Sequence, residues 1–150
     1  MSGSIALAII LLLSIGLIAI AYESMRKSKE DSQQQRQIDQ WRTKLSFVTS
    51  IDELAVVPAG ILDYRGVQGE EVLAWAEIAD EDGRVLITNK AFVIETERRN
   101  DRVTFGSVAK VDSFLDGLII RKRTGRPKII KIVHDGHFIA LAERILHIVN

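Results

Sequence analysis

His134-Asp135-Gly136-His137 sets two imidazoles and a carboxylate side by side, the raw material of a transition-metal site. Such a site needs three or four converging ligands. The one other histidine, His147, follows His137 by about three helical turns. The stretch therefore reads as a loop entering a helix, with Asp135 as N-cap. Ser107 follows Gly106 without a G-x-S-x-G elbow, and Ser113 falls in an expected strand. Neither has a base beside it. The glycines form neither G-x-G-x-x-G nor a phosphate-binding loop. No cysteine is present, which removes disulfides, thiolate zinc sites and cysteine nucleophiles together. The many carboxylates look like exposed turn residues. No residue set supports catalysis, so the sequence points to a non-enzyme without metal or cofactor.

Charge offers more. Arg121, Lys122, Arg123, Arg126, Lys128 and Lys131 fall on two expected strands and the turn between them, so a hairpin would gather these cations at one end. Each Lys or Arg close to an anionic bilayer contributes about 1 kcal/mol. The cluster is a candidate surface for anionic phospholipid or an acidic protein partner. The competing reading is a charged tip that protects a sheet edge from aggregation. Nucleic acid is disfavoured, because no aromatic residue interleaves the cations and the formal net charge is +0.

The elements that must position these residues begin with an anchor. Ser4 to Tyr22 is built of Leu, Ile and Ala with little polar relief, and no charged residue precedes Glu23. A helix of this length just spans a hydrocarbon layer about 30 Å thick. Tyr22 stands where an interfacial aromatic would sit. Ala19-Ile20-Ala21 has the small-x-small form of a signal-peptide cleavage site, but the amino-terminal Met1-Ser2-Gly3-Ser4 lacks the basic residues that such a peptide carries. The basic residues Arg26, Lys27 and Lys29 follow the apolar run instead. The positive-inside rule then leaves residues 1–3 as a short extracytoplasmic end and the bulk of the chain in the cytoplasm. Export after cleavage behind Ala21 is the alternative.

Residues 23–40 are polar and Gln-rich, a tether or an exposed helix. Ile38, Trp41, Leu45 and Val48 recur at helical spacing and predict a short helix packed on the domain of residues 41–150. Ser50 and Glu53 have capping-box spacing. From about Glu70 the rhythm is strand and turn. Glu71 to Ile78 fits helix or strand; Arg84 to Thr88 and Ala91 to Glu95 meet at Asn89-Lys90 as a hairpin. A strand through Val103 and Phe105 follows, then Val108 to Leu115. A two-residue turn is expected at Asp116-Gly117. Leu118 to Arg123 and Lys128 to Val133 flank Thr124 to Pro127. Phe138, Ile139, Ala142, Ile145, Leu146 and Val149 mark a closing amphipathic helix.

The stretch from Gly83 to Ile132, with Thr88-Asn89-Lys90 in one hairpin and Asp116-Gly117 in another, resembles the pleckstrin-homology-like domains of bacteria and the related GRAM domains. The resemblance is best supported over residues 70–150. It implies a mainly-β domain, a partly open antiparallel barrel of about seven strands capped by a C-terminal helix, behind the transmembrane helix of residues 4–22. It further implies a non-catalytic binding or scaffolding module, presented to protein partners or to the anionic surface of the cell (inner) membrane. Phosphoinositide-binding members carry basic residues around their first hairpin loop. Here that loop is Asp80-Glu81-Asp82, which repels phosphate.

Overall fold

Residues with good helix propensity fill the chain after Gly16, and neither Gly nor Pro recurs before Pro58. In the computed structural model this stretch belongs to a single helix, α1, Ser2–Leu45. The structure describes residues 2–149, with side chains from Ala8; Met1, in the expected extracytoplasmic end, and Asn150 lie outside the described residues. The helix includes all of residues 23–40, where Arg26 and Glu30 pair at 2.9 Å and Gln35 donates to Asp39 at 3.0 Å. Both are i,i+4 pairs of the kind that supports an exposed helix. Over Ala8–Leu45 the most apolar stretch has a mean hydropathy of 2.1, and it is long and apolar enough to cross a membrane. A signal sequence has the same character. The chain divides into two compact units, Met1–Gln33 and Gln34–Asn150.

In the first unit, α1 exposes its apolar side chains: Leu12, Leu17 and Ile18 are each exposed by about two-thirds or more. In the second, the last three turns of α1 bury Ile38 and Leu45 and half-bury Trp41; Val48, the fourth member of the stripe read from spacing, lies beyond the helix end at Leu45 and packs partly against the core. Arg42 clamps this segment to α3 (Gly136–Val149) through Glu143, at 2.8 Å from Nε and 2.6 Å from Nη2.

After α1, a single 3-10 turn at Ile51–Glu53 is braced by Glu53, whose Oε1 accepts the Ser50 amide at 3.0 Å. The short helix α2, Ala59–Leu62, follows Pro58 and ends at Asp63 in the left-handed region, φ 44°. Seven strands follow: β1 Val72–Glu77, β2 Gly83–Thr88, β3 Ala91–Thr96, β4 Asn100–Thr104, β5 Val108–Phe114, β6 Gly117–Lys122 and β7 Lys128–Lys131. The ambiguous Glu71 to Ile78 stretch is thus strand, held by pairing with β2 that its local propensity did not decide. Phe105 lies beyond β4, in a 3-10 turn, and its ring meets Phe92 edge-on at 5.4 Å.

The turn between β5 and β6 falls one residue earlier than expected. Leu115 and Asp116 form it, and Gly117 is a strand residue paired with Phe114. A side chain at Gly117 would collide with the Phe114 ring and with the Ile130 carbonyl of β7. Glycine is there for close approach, not for turn geometry.

The strands form two antiparallel sheets, β1-β2-β3-β4 and β5-β6-β7. One isolated bridge, Ile78 to Ile132, joins them, flanked by the amides of Ala79 and Val133 donating at 2.9 Å to Lys131 and Glu77. Among the described residues no continuous ladder closes the sheets into a barrel. The main core lies on the inner faces, with Val85, Ile87, Phe92, Ile94, Leu118 and Ile120 buried against α3. In α3, Phe138, Ile139, Ala142 and Ile145 are buried and Leu146 and Val149 pack partly against the core, as the period predicts. Asp135 caps it by accepting the Phe138 amide at 2.9 Å.

Candidate functional site

Strand register decides where the basic residues go. Successive side chains alternate between faces, so Lys122, Lys128 and Ile130 share the core side of the β5-β6-β7 sheet, while Arg121, Ile129 and Lys131 face outward. Lys131 pairs with Gly117, beside the β5-β6 turn, so it stands at the far end of the hairpin from Arg123 and Arg126. The six cations are therefore not gathered at one end. Two of them are also paired: Arg121 Nε lies 2.6 Å from Asp112, and Lys128 Nζ lies 2.9 Å from Asp101. Lys110 adds a second cation to Asp112, and the Lys110 and Arg121 bonds hold that carboxyl below its usual range. The Lys128 bond does the same to Asp101. Among the described residues no ion pair involves Lys122, Arg123, Arg126 or Lys131.

The β1-β2 loop carries Asp80, Glu81 and Asp82, all exposed. Arg99 in the β3-β4 turn binds Glu81 at 2.9 Å and approaches Asp101 at 4.0 Å. Charges thus alternate from Glu81 through Arg99 and Asp101 to Lys128. An open cleft of about 550 Å³ beside them is lined by Glu77, Glu81, Asp82, Glu95 and Glu97, with Arg84 as its one cation. Carboxylates thus outnumber cations five to one along this cleft.

The densest polar constellation was not legible in the sequence. The Glu70 side chain is 0% exposed, unlike the exposed turn carboxylates that its sequence context suggests. Its Oε1 accepts from Thr88 Oγ1 at 2.7 Å and lies 2.6 Å from Arg102 Nη1; its Oε2 accepts from Tyr64 Oη at 2.9 Å and from the Val67 amide at 3.0 Å. Burial pushes this carboxyl up, but the bonds from Thr88, Arg102 and Tyr64 outweigh it and the group titrates below its usual range. Burial and the Glu70 charge push the Tyr64 phenol up to about 12.

Thr88-Asn89-Lys90 supplies the rest of this latch. Asn89 donates to the Gly69 carbonyl and accepts from the Glu71 amide, both at 3.1 Å, and Lys90 Nζ reaches the Gln68 carbonyl at 2.7 Å. The hairpin residues thereby fasten the segment before β1. That segment lays Leu62, Val57 and Tyr64 over Val72, Leu86, Ala91 and Val93, a second apolar cluster on the outer face of the four-stranded sheet. The only hint in the sequence was the hairpin motif itself.

Two of the three histidines have packing or hydrogen-bond partners. His134 Nδ1 lies 2.8 Å from the Leu115 carbonyl and Nε2 lies 3.3 Å from Gln37 Oε1. His137 meets the Trp41 ring edge-on at 4.5 Å, with Lys44 over the same ring, and burial lowers its pKa. His147 is exposed on α3. Among the described residues no group of three His, Asp or Glu is placed to hold a metal. Ser113 donates to the Glu143 carboxylate, which also binds Arg42, and Ser107 Oγ donates to the Thr104 carbonyl at 2.7 Å. Arg26, Lys27 and Lys29 are all exposed on α1. No family model and no curated protein matches the sequence.

Proposed function

We propose that this chain is a non-catalytic, single-pass membrane protein that presents a pleckstrin-homology-like domain in the cytoplasm, where it binds a protein partner or the anionic face of the inner membrane. The observation that carries the reading is an uncharged apolar helix, followed at once by Arg26, Lys27 and Lys29, leading into a folded β domain. Basic residues remain on the cytoplasmic side of a span. The antiparallel order of the strands and the closing helix are consistent with a partly open barrel, with the Ile78 to Ile132 bridge as the start of its closure. The paired and acidic loops at the Glu81 end argue against phosphoinositide recognition there, so binding falls to the basic β6-β7 region.

Protease treatment of inverted inner-membrane vesicles tests this directly. The domain should be digested in inverted vesicles and protected in spheroplasts; the opposite pattern rejects the reading. The Ala19-Ile20-Ala21 triplet supports a second reading, an exported domain released by cleavage. Amino-terminal sequencing of the mature protein separates the two: Tyr22 as first residue means export, and an intact start means an anchor.

A further inference from the structure

The outward face of the β5-β6-β7 sheet combines aliphatic and basic side chains. Cross-strand rows on it run Lys110–Arg121, Asp112–Ile119–Ile129 and Phe114–Gly117–Lys131. The opposite face is buried core, through Val111, Leu118, Ile120 and Ile130. Ile129 is 65% exposed, and Val133, just beyond β7 on the same side, is 53% exposed. Ile129 and Val133 thus leave most of their apolar surface in solvent, on a sheet whose core face is already filled. Asp112 is the sole carboxylate in those rows, and it is shared by Lys110 and Arg121. Among the described residues, Lys131 and, past the end of β6, Arg123 and Arg126 have no ion pair.

We infer that this face is an anionic-membrane docking surface, in which Ile129 and Val133 enter the headgroup region and Lys131, Arg123 and Arg126 meet lipid phosphates. This rests on the anchored reading above and names which face of the domain is used. Two observations favour lipid over an acidic polypeptide. Ile119, Ile129 and Lys131 line none of the described cavities, and Val133 borders only a small open one of about 260 Å³ at the edge of the face, so the centre of the face offers no groove for a chain to lie in. The chain also carries its own apolar helix able to cross a membrane, which would hold the domain at high local concentration near a bilayer and let weak contacts suffice. Apolar residues ringed by cations are the composition of an interfacial surface.

The absence of cysteine makes the test clean. Ile129→Cys, and Gly60→Cys as a control in α2, each give the full-length protein one site for a fluorophore. Both variants are reconstituted in nanodiscs of phosphatidylcholine alone or with phosphatidylserine, with a headgroup nitroxide lipid as quencher. The Ile129→Cys label should be quenched in anionic discs at low salt, lose that quenching in high salt, and be unaffected in neutral discs. The Gly60→Cys label should stay bright throughout. Adding Arg123→Glu, Arg126→Glu and Lys131→Glu should weaken docking about a hundredfold, from about fivefold per cation. A bright Ile129→Cys label in every disc, or equal quenching of both labels, overturns the docking surface while leaving the anchor intact. A label that responds to polyglutamate but not to anionic discs also overturns it, in favour of an acidic polypeptide. Failure to incorporate into discs overturns the anchor, and the docking surface with it.

Discussion

Glu70 shows how far one residue's environment departs from its sequence context. It stands before an acidic pair-mate, Glu71, in a glycine-rich stretch that reads as solvated turn. Nothing local reveals that Tyr64, Thr88 and Arg102 converge on it from three other places in the chain. Replacing it by Gln turns an acceptor into an NH2 group facing the Tyr64 and Val67 donors and leaves Arg102 against a neutral carbonyl in place of a carboxylate. Glu70→Gln should cost about 2–3 kcal/mol, given that Arg102 is partly exposed, and the urea midpoint measures it. Tyr64→Phe removes a single bond and should cost about 1 kcal/mol. The folded carboxyl binds its proton more weakly than the unfolded one. Unfolded chains therefore take up protons first as pH falls, and the stability from Glu70 is present above the ordinary carboxyl range and lost below it. Asp101 and Asp112 shift in the same direction. Urea midpoints of the wild type should drop through pH 5 to 3, and the gap to Glu70→Gln should narrow over that range.

At the scale of elements, most of the β unit was legible, because β-branched strands between turn residues carry their own period. The strands β2, β3, β6 and β7 and the helix α3 lie close to where pattern put them. What pattern could not give was the partner of each element. The β5-β6 turn lies one residue before Asp116-Gly117 because Gly117 is a strand residue against the Ile130 carbonyl of β7, which no local window contains. The basic cluster was visible as composition, but its scattering over two faces follows from register alone. Continuity of α1 through residues 23–40 was equally open, since a polar segment has no apolar stripe to declare its period. The structure places the stripe of Ile38, Trp41 and Leu45 against the main core. A fragment of residues 46–150 lacks these side chains, each stabilising by about 1.5–3 kcal/mol when fully buried, against a typical total of 5–15 kcal/mol. It should be unfolded or molten by circular dichroism and dye binding, whereas 34–150 should unfold cooperatively in urea. Equal stability of the two fragments would mean that this end of α1 is an appendage.

For the whole molecule, the anchored reading proposed above turns on which side of the membrane receives the domain, and Arg26, Lys27 and Lys29 are the basic residues nearest the apolar helix. Glu23 contributes little, because acidic residues weigh weakly in topology, and Met1-Ser2-Gly3-Ser4 carries no side-chain charge at all. Orientation should thus depend on Arg26, Lys27 and Lys29, and a charge swap should reverse it. Changing all three to Gln and inserting three lysines after Met1 should carry the domain to the far side in a large share of molecules. A single cysteine introduced at Gly106, which has open space around it, reports the outcome. In intact cells a membrane-impermeant maleimide should leave the wild-type orientation unlabelled and label the swapped chain. The domain's own stability should be unchanged, since the three residues are exposed and lie outside the unit of Gln34–Asn150. Labelling of the unswapped protein in intact cells would place the basic hairpin away from the anionic cytoplasmic leaflet and leave the export reading as the one to pursue.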